Sequence, residues 1–157
     1  MNNHSVTVRT NSASQTEDLG RLLSNYLSAG DVIELIGDLG AGKTQLVRGL
    51  AQGINTNETV QSPSFMLQRI YNGKPYDIHH FDFYRLDNPG IMIEELQESI
   101  EDSRSVVAIE WARSSKEILP DTTVAVSIES PSETERTITI SNLTKDKELK
   151  HDFDNQN

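Results

Sequence analysis

The chain has 157 residues, with 24 acidic side chains against 14 basic ones and a formal net charge of −10. That is the length of one domain, and the charge argues against a surface that grips nucleic acid by itself. It has no cysteine, which excludes a disulfide framework, a thiol nucleophile and a zinc-thiolate site. No apolar run reaches the length of a membrane span, and the opening MNNHSVTVRT lacks a basic segment followed by an apolar one, so no membrane association and a cytoplasmic location are expected.

In chain order, SVTVR (5–9) alternates like a strand, and SASQTEDLGRLLSNYL offers cap residues followed by Leu19, Leu22, Leu23, Tyr26 and Leu27 at helical spacing, with Gly30 and Asp31 closing that helix. VIELI (32–36) reads as a short strand, and KTQLVRGLAQGI places Leu46, Val47, Leu50 and Ala51 on one helical face until Gly53. SFMLQRIY and PYDIHHFDFYRL are extended runs flanking Asn72-Gly73, a strong hairpin signal, so an antiparallel element is expected beside the strand before the glycine loop. After Pro89, NPGIMIEELQESIEDS reads as a helix with Ile93, Leu96 and Ile100 on one face. VVAIEW (106–111) reads as a buried strand ending in Glu110 and Trp111. A short helix is expected around SSKEIL, then a hairpin of TTVAVSIE and RTITIS. Residues 1–144 are thus expected to form one domain of α/β class, and the polar tail KDKELKHDFDNQN (145–157) is expected to fray.

The sharpest signal is Gly37-Asp38-Leu39-Gly40-Ala41-Gly42-Lys43-Thr44, which matches G-x-x-x-x-G-K-[ST] at every position. Its glycines let backbone N–H groups curl around phosphates, Lys43 reaches the β and γ oxygens, and the Thr44 hydroxyl faces Mg²⁺. The helix that begins at Lys43 adds its positive end. Magnesium in such sites commonly takes a further contact from an acid at a strand end. Asp82 and Glu110 both qualify, and they can exchange the roles of metal contact and water-activating base. Against this stand a Glu110 pointing into water and an Asp82 paired with Arg85 or Arg69. His79 and His80, adjacent on a strand, face opposite sides and cannot easily share one ion. The hydroxyl-rich turn Ser62–Phe65 lies where a loop sensing the γ-phosphate would be.

GDLGAGKT, VQSPSF, HFDFYRL and IEW, in that order and at these separations, resemble the bacterial TsaE family, also called YjeE, from about Thr16 to Arg136. The resemblance implies a P-loop NTPase-like fold of three layers around a central mixed sheet, with Asp38 to Thr44 on the ATP phosphates. It implies Thr44 and Glu110 on Mg²⁺, Asp82 at the metal and attacking water, Ser62–Phe65 as a switch, Trp111 beside the nucleotide and residues near Thr16 by the adenine. Family members are weak ATPases that work with the TsaD and TsaB proteins, which carry the threonylcarbamoyl transfer to adenosine 37 of ANN-decoding tRNAs, and hydrolysis is thought to reset that complex. The acidic chain would then meet tRNA only through its partners.

Three other readings of the glycine loop remain in play, one of them a nucleotide-binding scaffold that never hydrolyses, against which stand the intact Thr44, Asp82 and Glu110. A small-molecule kinase would need an acceptor pocket and an arginine-bearing lid, for which Arg85 and Arg113 are the available residues. A GTP-dependent switch would use Asp87–Gly90 as its D-x-x-G element, although no N-K-x-D guanine reader is present.

Overall fold

A computed structural model describes residues 4–157 other than 62, 64–66, 85 and 87–89, and leaves out the side chains of Ile91 and Ser114. The expected switch residues Ser62, Ser64 and Phe65, the arginine Arg85 and most of Asp87–Gly90 lie outside the described residues.

Seven strands form one sheet: β1 (Ser5–Thr10), β2 (Val32–Ile36), β3 (Gln68–Tyr71), β4 (Asp77–Asp82), β5 (Ser105–Glu110), β6 (Val124–Glu129) and β7 (Arg136–Ser141). Their order is β1-β7-β6-β2-β5-β4-β3. The central β6, β2, β5 and β4 run parallel, β3 on one side and β7 on the other run antiparallel to them, and β1 pairs antiparallel with β7 and so returns to the central direction. The sheet is therefore mixed. Of the parallel strands, β2, β5 and β6 are mostly apolar, and β5 is buried at every position, as a strand covered on both faces must be.

Among the described residues four α-helices cover the sheet: α1 (Ala13–Leu23), α2 (Lys43–Gly53), α3 (Ile91–Glu101) and α4 (Asp146–Gln156). One apolar cluster joins the first two and the last to Ile33, Leu35, Ile78, Ala108, Val126 and Ile138 on one sheet face. A second cluster joins Leu96 of α3 to Phe81, Phe83, Val107 and Ile109 on the other. Side chains alternate along a strand, so Asp82, His80 and Glu110 share parity with Ile78 and Ala108 and stand on the α2 face.

Helix α1 starts at Ser12, whose hydroxyl accepts from Gln15 N, and ends at Leu23, followed by a 3₁₀ turn at Ser24–Tyr26. Its end thus comes well before Gly30. The β3–β4 connection runs from Asn72 to Tyr76, longer than the two-residue turn that Asn-Gly suggests. Gly73 keeps a negative φ and instead sits against the end of α2: a Cβ there would lie 2.6 Å from Ile54 Cδ1, and Lys74 N donates to Ile54 O at 2.9 Å. Two 3₁₀ turns, Ala112–Ser114 and Lys116–Ile118, replace the helix expected around SSKEIL.

The C-terminal tail corrects its expectation outright. Residues 146–156 form α4, with Leu149 and Phe153 buried at i and i+4 against the core. Two apolar residues at that spacing anchor a helix whose other positions are polar. The Tyr26 hydroxyl donates to Asp152, and that bond together with burial raises the phenol to about 12.

Candidate active site

The glycine loop joins β2 to α2 at the C-terminal edge of the parallel strands, where open α/β sheets bind ligands. Gly42, the residue before α2, has φ 110° and no side chain to cap the helix. Leu46 N to Gly42 O at 3.1 Å closes the first turn, so the amides ahead of it are directed outward, as at any helix start. Amides and helix dipole together favour an anion in front of Lys43.

Lys43 is itself buried. Its ammonium donates to Gly37 O at 2.5 Å and Asp38 O at 3.1 Å, and lies 4.3 Å from the centroid of the Trp111 ring. Burial lowers its pKa from the ordinary 10.5, while Glu110, Asp82 and Asp38 oppose that shift. The cation is thus held by carbonyls and an aromatic face that phosphate oxygens could replace.

Around it, Thr44, Asp82, Glu110 and Trp111 line a cavity of about 260 Å³ that opens over Gly40 and Gly42. Asp82 and Glu110 are 28 positions apart in sequence, yet they are register partners at the ends of β4 and β5. Both are buried, so Glu110 does not point into water. Asp82 Oδ1 accepts from Tyr84 N at 3.0 Å, while Glu110 Oε1 is buried without a partner. The Glu110 carboxylate, lining the same cavity as Thr44 and Asp82, suits a hard cation with oxygen ligands such as Mg²⁺. Among the described residues no group of three or more His, Asp or Glu is placed to hold a metal ion by itself.

Trp111 follows Glu110 in the left-handed region, at φ 59° and ψ 50°, a conformation that costs a non-glycine residue of order 1–3 kcal/mol. Its ring lies tilted at 49° to that of Tyr84, with centroids 4.8 Å apart. The tension in the backbone brings the indole over Lys43 directly beside the two carboxylates.

Thr16 is placed differently from its neighbours. Its hydroxyl is committed to Thr10 Oγ1 at 2.8 Å and Ser12 O at 3.3 Å, and it borders a separate cavity of about 180 Å³ beside Gly40, Gly42 and Arg136. Asp38 and Leu39 are exposed at the loop tip, while Ala41 is buried beneath it. The two histidines do face opposite sides: His80 Nε2 is 3.7 Å from Glu110 Oε1, and His79 Nδ1 is 2.7 Å from Ser99 Oγ on α3.

One contact was not foreseen from sequence. Arg136 Nε donates to Ala41 O at 2.7 Å, and its Nη1 gathers the carbonyls of Ser132, Glu133 and Glu135, which braces the glycine loop against the β6–β7 hairpin. The two residues are 95 positions apart, and no local pattern marks such a pair.

The TsaE family model, described as threonylcarbamoyl adenosine biosynthesis protein TsaE, matches residues 10–138. The chain is 44% identical to "tRNA threonylcarbamoyladenosine biosynthesis protein TsaE" of Nostoc sp. over 62% of each chain. Against the protein of that name from Bacillus subtilis it is 33% identical, over 83% of this chain and 82% of the relative. A crystal structure of YdiB from Bacillus subtilis matches with a TM-score of 0.78 and 26% identity, over 99% of this chain and 98% of that one. With the mixed sheet and the strand, glycine loop and helix already described, these matches identify a P-loop-like α/β fold, and the chain belongs to the TsaE family.

Proposed function

We propose that this protein is a Mg²⁺-dependent ATPase of tRNA threonylcarbamoyladenosine biosynthesis, acting with the TsaB–TsaD complex and resetting it between turnovers. The pathway follows from the family and its relatives' names. The observation that carries the chemistry is the convergence of Lys43, Thr44, Asp82 and Glu110 on one cavity in front of the α2 amides.

In this reading Lys43 leaves the Gly37 and Asp38 carbonyls for the β and γ oxygens of ATP, and the α2 amides hold the same oxygens. Thr44 and one of the two carboxylates would hold Mg²⁺, whose charge would offset that of the phosphates. The other carboxylate orients water and accepts its proton as the water oxygen bonds to the γ-phosphorus. The bond to the bridging oxygen breaks, leaving ADP and inorganic phosphate. Asp82 and Glu110 are both near enough to the cavity for either role. Trp111 shields the lysine side from bulk water, which strengthens each electrostatic contact. The net charge of −10 favours contact with partner proteins over direct contact with tRNA.

The test is phosphate release from ATP by the purified protein, alone and then with TsaB, TsaD and substrate tRNA. A slow rate alone, raised by the partners and absent in Lys43→Ala, is expected. Phosphate appearing on a small-molecule acceptor, or a rate indifferent to the partners, would overturn this reading.

A further inference from the structure

Among the described residues, the buried side-chain polar atoms without a hydrogen-bond partner are three, and all belong to one pair: both ring nitrogens of His80 and Oε1 of Glu110. Buried polar atoms in folded proteins are almost always paired, so an orphan calls for a reason. Two of the three face each other, His80 Nε2 standing 3.7 Å from Glu110 Oε1, roughly 0.8 Å beyond an ordinary N–H···O bond of about 2.9 Å. His80 has no exposed surface. It sits behind Asp82 on β4, opposite Ala108 of β5, with the Tyr71 ring 6.4 Å away. Two residues earlier the same face carries Ile78, so packing at this depth does not call for an imidazole. A polar ring placed there and left unpaired is explained by a partner that completes its bond at another stage of the site's cycle.

We propose that His80 is a positioning residue for Glu110. As the neutral Nε2–H tautomer it donates to Oε1 and holds the carboxylate so that Oε2 is turned to the Thr44 side of the cavity. The bond closes when the site is loaded, because a cation drawing on Oε2 fixes a carboxylate that is otherwise free to turn. Carboxylate ligands are commonly oriented by such a donor, and losing it weakens metal binding. The unprotonated Nδ1 leaves no donor stranded. The inference rests on the reading of Glu110 as a metal-facing carboxylate and adds the group that aims it.

The test has two parts. Long-range ¹H–¹⁵N spectra of the parent protein, with His80 assigned by the loss of its signals in His80→Gln, read the tautomer with and without ADP and Mg²⁺. The Nε2–H form is expected in both states, with the proton moving downfield on loading; an Nδ1–H form overturns the proposal. Mn²⁺ affinity in the presence of ADP, read by electron paramagnetic resonance, is expected to fall about 10- to 100-fold in His80→Phe. His80→Gln, whose amide can donate to the same oxygen, should recover most of that loss, and ADP affinity without metal should be unchanged in both. Parent-like Mn²⁺ affinity in folded His80→Phe overturns the role of His80 alone. A parent with no nucleotide-dependent Mn²⁺ binding overturns the metal reading of Glu110, and the proposal with it. If His80→Phe does not fold, the tautomer decides.

Discussion

Lys43 shows how a single residue is prepared by its surroundings. Its ammonium is drawn out of water and held by two carbonyls and an indole face, contacts individually weaker than those a phosphate would offer. Lys43→Ala should weaken ATP binding by roughly 10- to 100-fold, the worth of a charge-assisted hydrogen bond or more, as isothermal titration will read. Glu110→Ala should bind nucleotide within a few-fold of the parent but release phosphate about 10²-fold more slowly or worse. Parent-like hydrolysis in Glu110→Ala would show that this carboxylate does neither of its assigned tasks. On the opposite sheet face, burial lowers the pKa of His79 below its ordinary 6.5, against the pull of Asp102 and Asp77. The unfolded chain therefore binds a proton there at a pH where the folded one does not. The associated stability is complete above 6.5 and lost as the pH falls below it, by at most about 1.4 kcal/mol per pH unit. Urea midpoints at pH 7.5 and 5.5 should fall further for the parent than for His79→Gln.

At the level of elements, α1 and α2 pack so closely that their backbones almost touch. A Cβ on Gly49 would lie 2.0 Å from Glu17 O, and one on Gly20 would lie 2.3 Å from Leu46 O. Gly49→Ala would gain about 1 kcal/mol in helix propensity, but the obstructing atoms are backbone and cannot step aside. The cost belongs at or above the upper end of the roughly 1–3 kcal/mol seen for overpacking. Gly49→Ala should therefore lower the thermal midpoint, and an unchanged or raised midpoint would mean that the helices separate freely. Since α2 also carries Lys43 and Thr44, moving it shifts the proposed phosphate site as well, so nucleotide affinity should fall in the same variant. The strand, loop and helix were legible in the residues because each is specified locally, by turn glycines and by apolar spacing. The β3–β4 connection was less so: Asn72-Gly73 has the composition of a tight turn, but docking on Ile54 selected a longer loop.

Across the whole molecule, α4 closes the apolar face formed by α1 and β1, 120 or more positions earlier in the chain. Deleting residues 145–157 removes the buried Leu149 and Phe153, each worth about 1.5–3 kcal/mol of burial, and uncovers the surface beneath them. A loss of roughly 3–6 kcal/mol in unfolding free energy is expected, measured by urea denaturation; a loss within error would show α4 to be dispensable. From residues alone this tail reads as solvated, because eleven of its thirteen positions are not large and apolar. Only the presence of a groove for the other two makes it a helix. The glycine loop, the helix behind it and the parity that separates His79 from His80 were all legible in the residues, since all three depend on short-range stereochemistry. The sequence by itself also named Asp82 and Glu110 as candidates. The tertiary structure alone decided that these two meet in register, that Glu110 is buried against His80, that Arg136 braces Ala41 and that the tail docks. Each of those depends on which strands pair and which faces remain to be covered, and these follow from the packing of the entire chain.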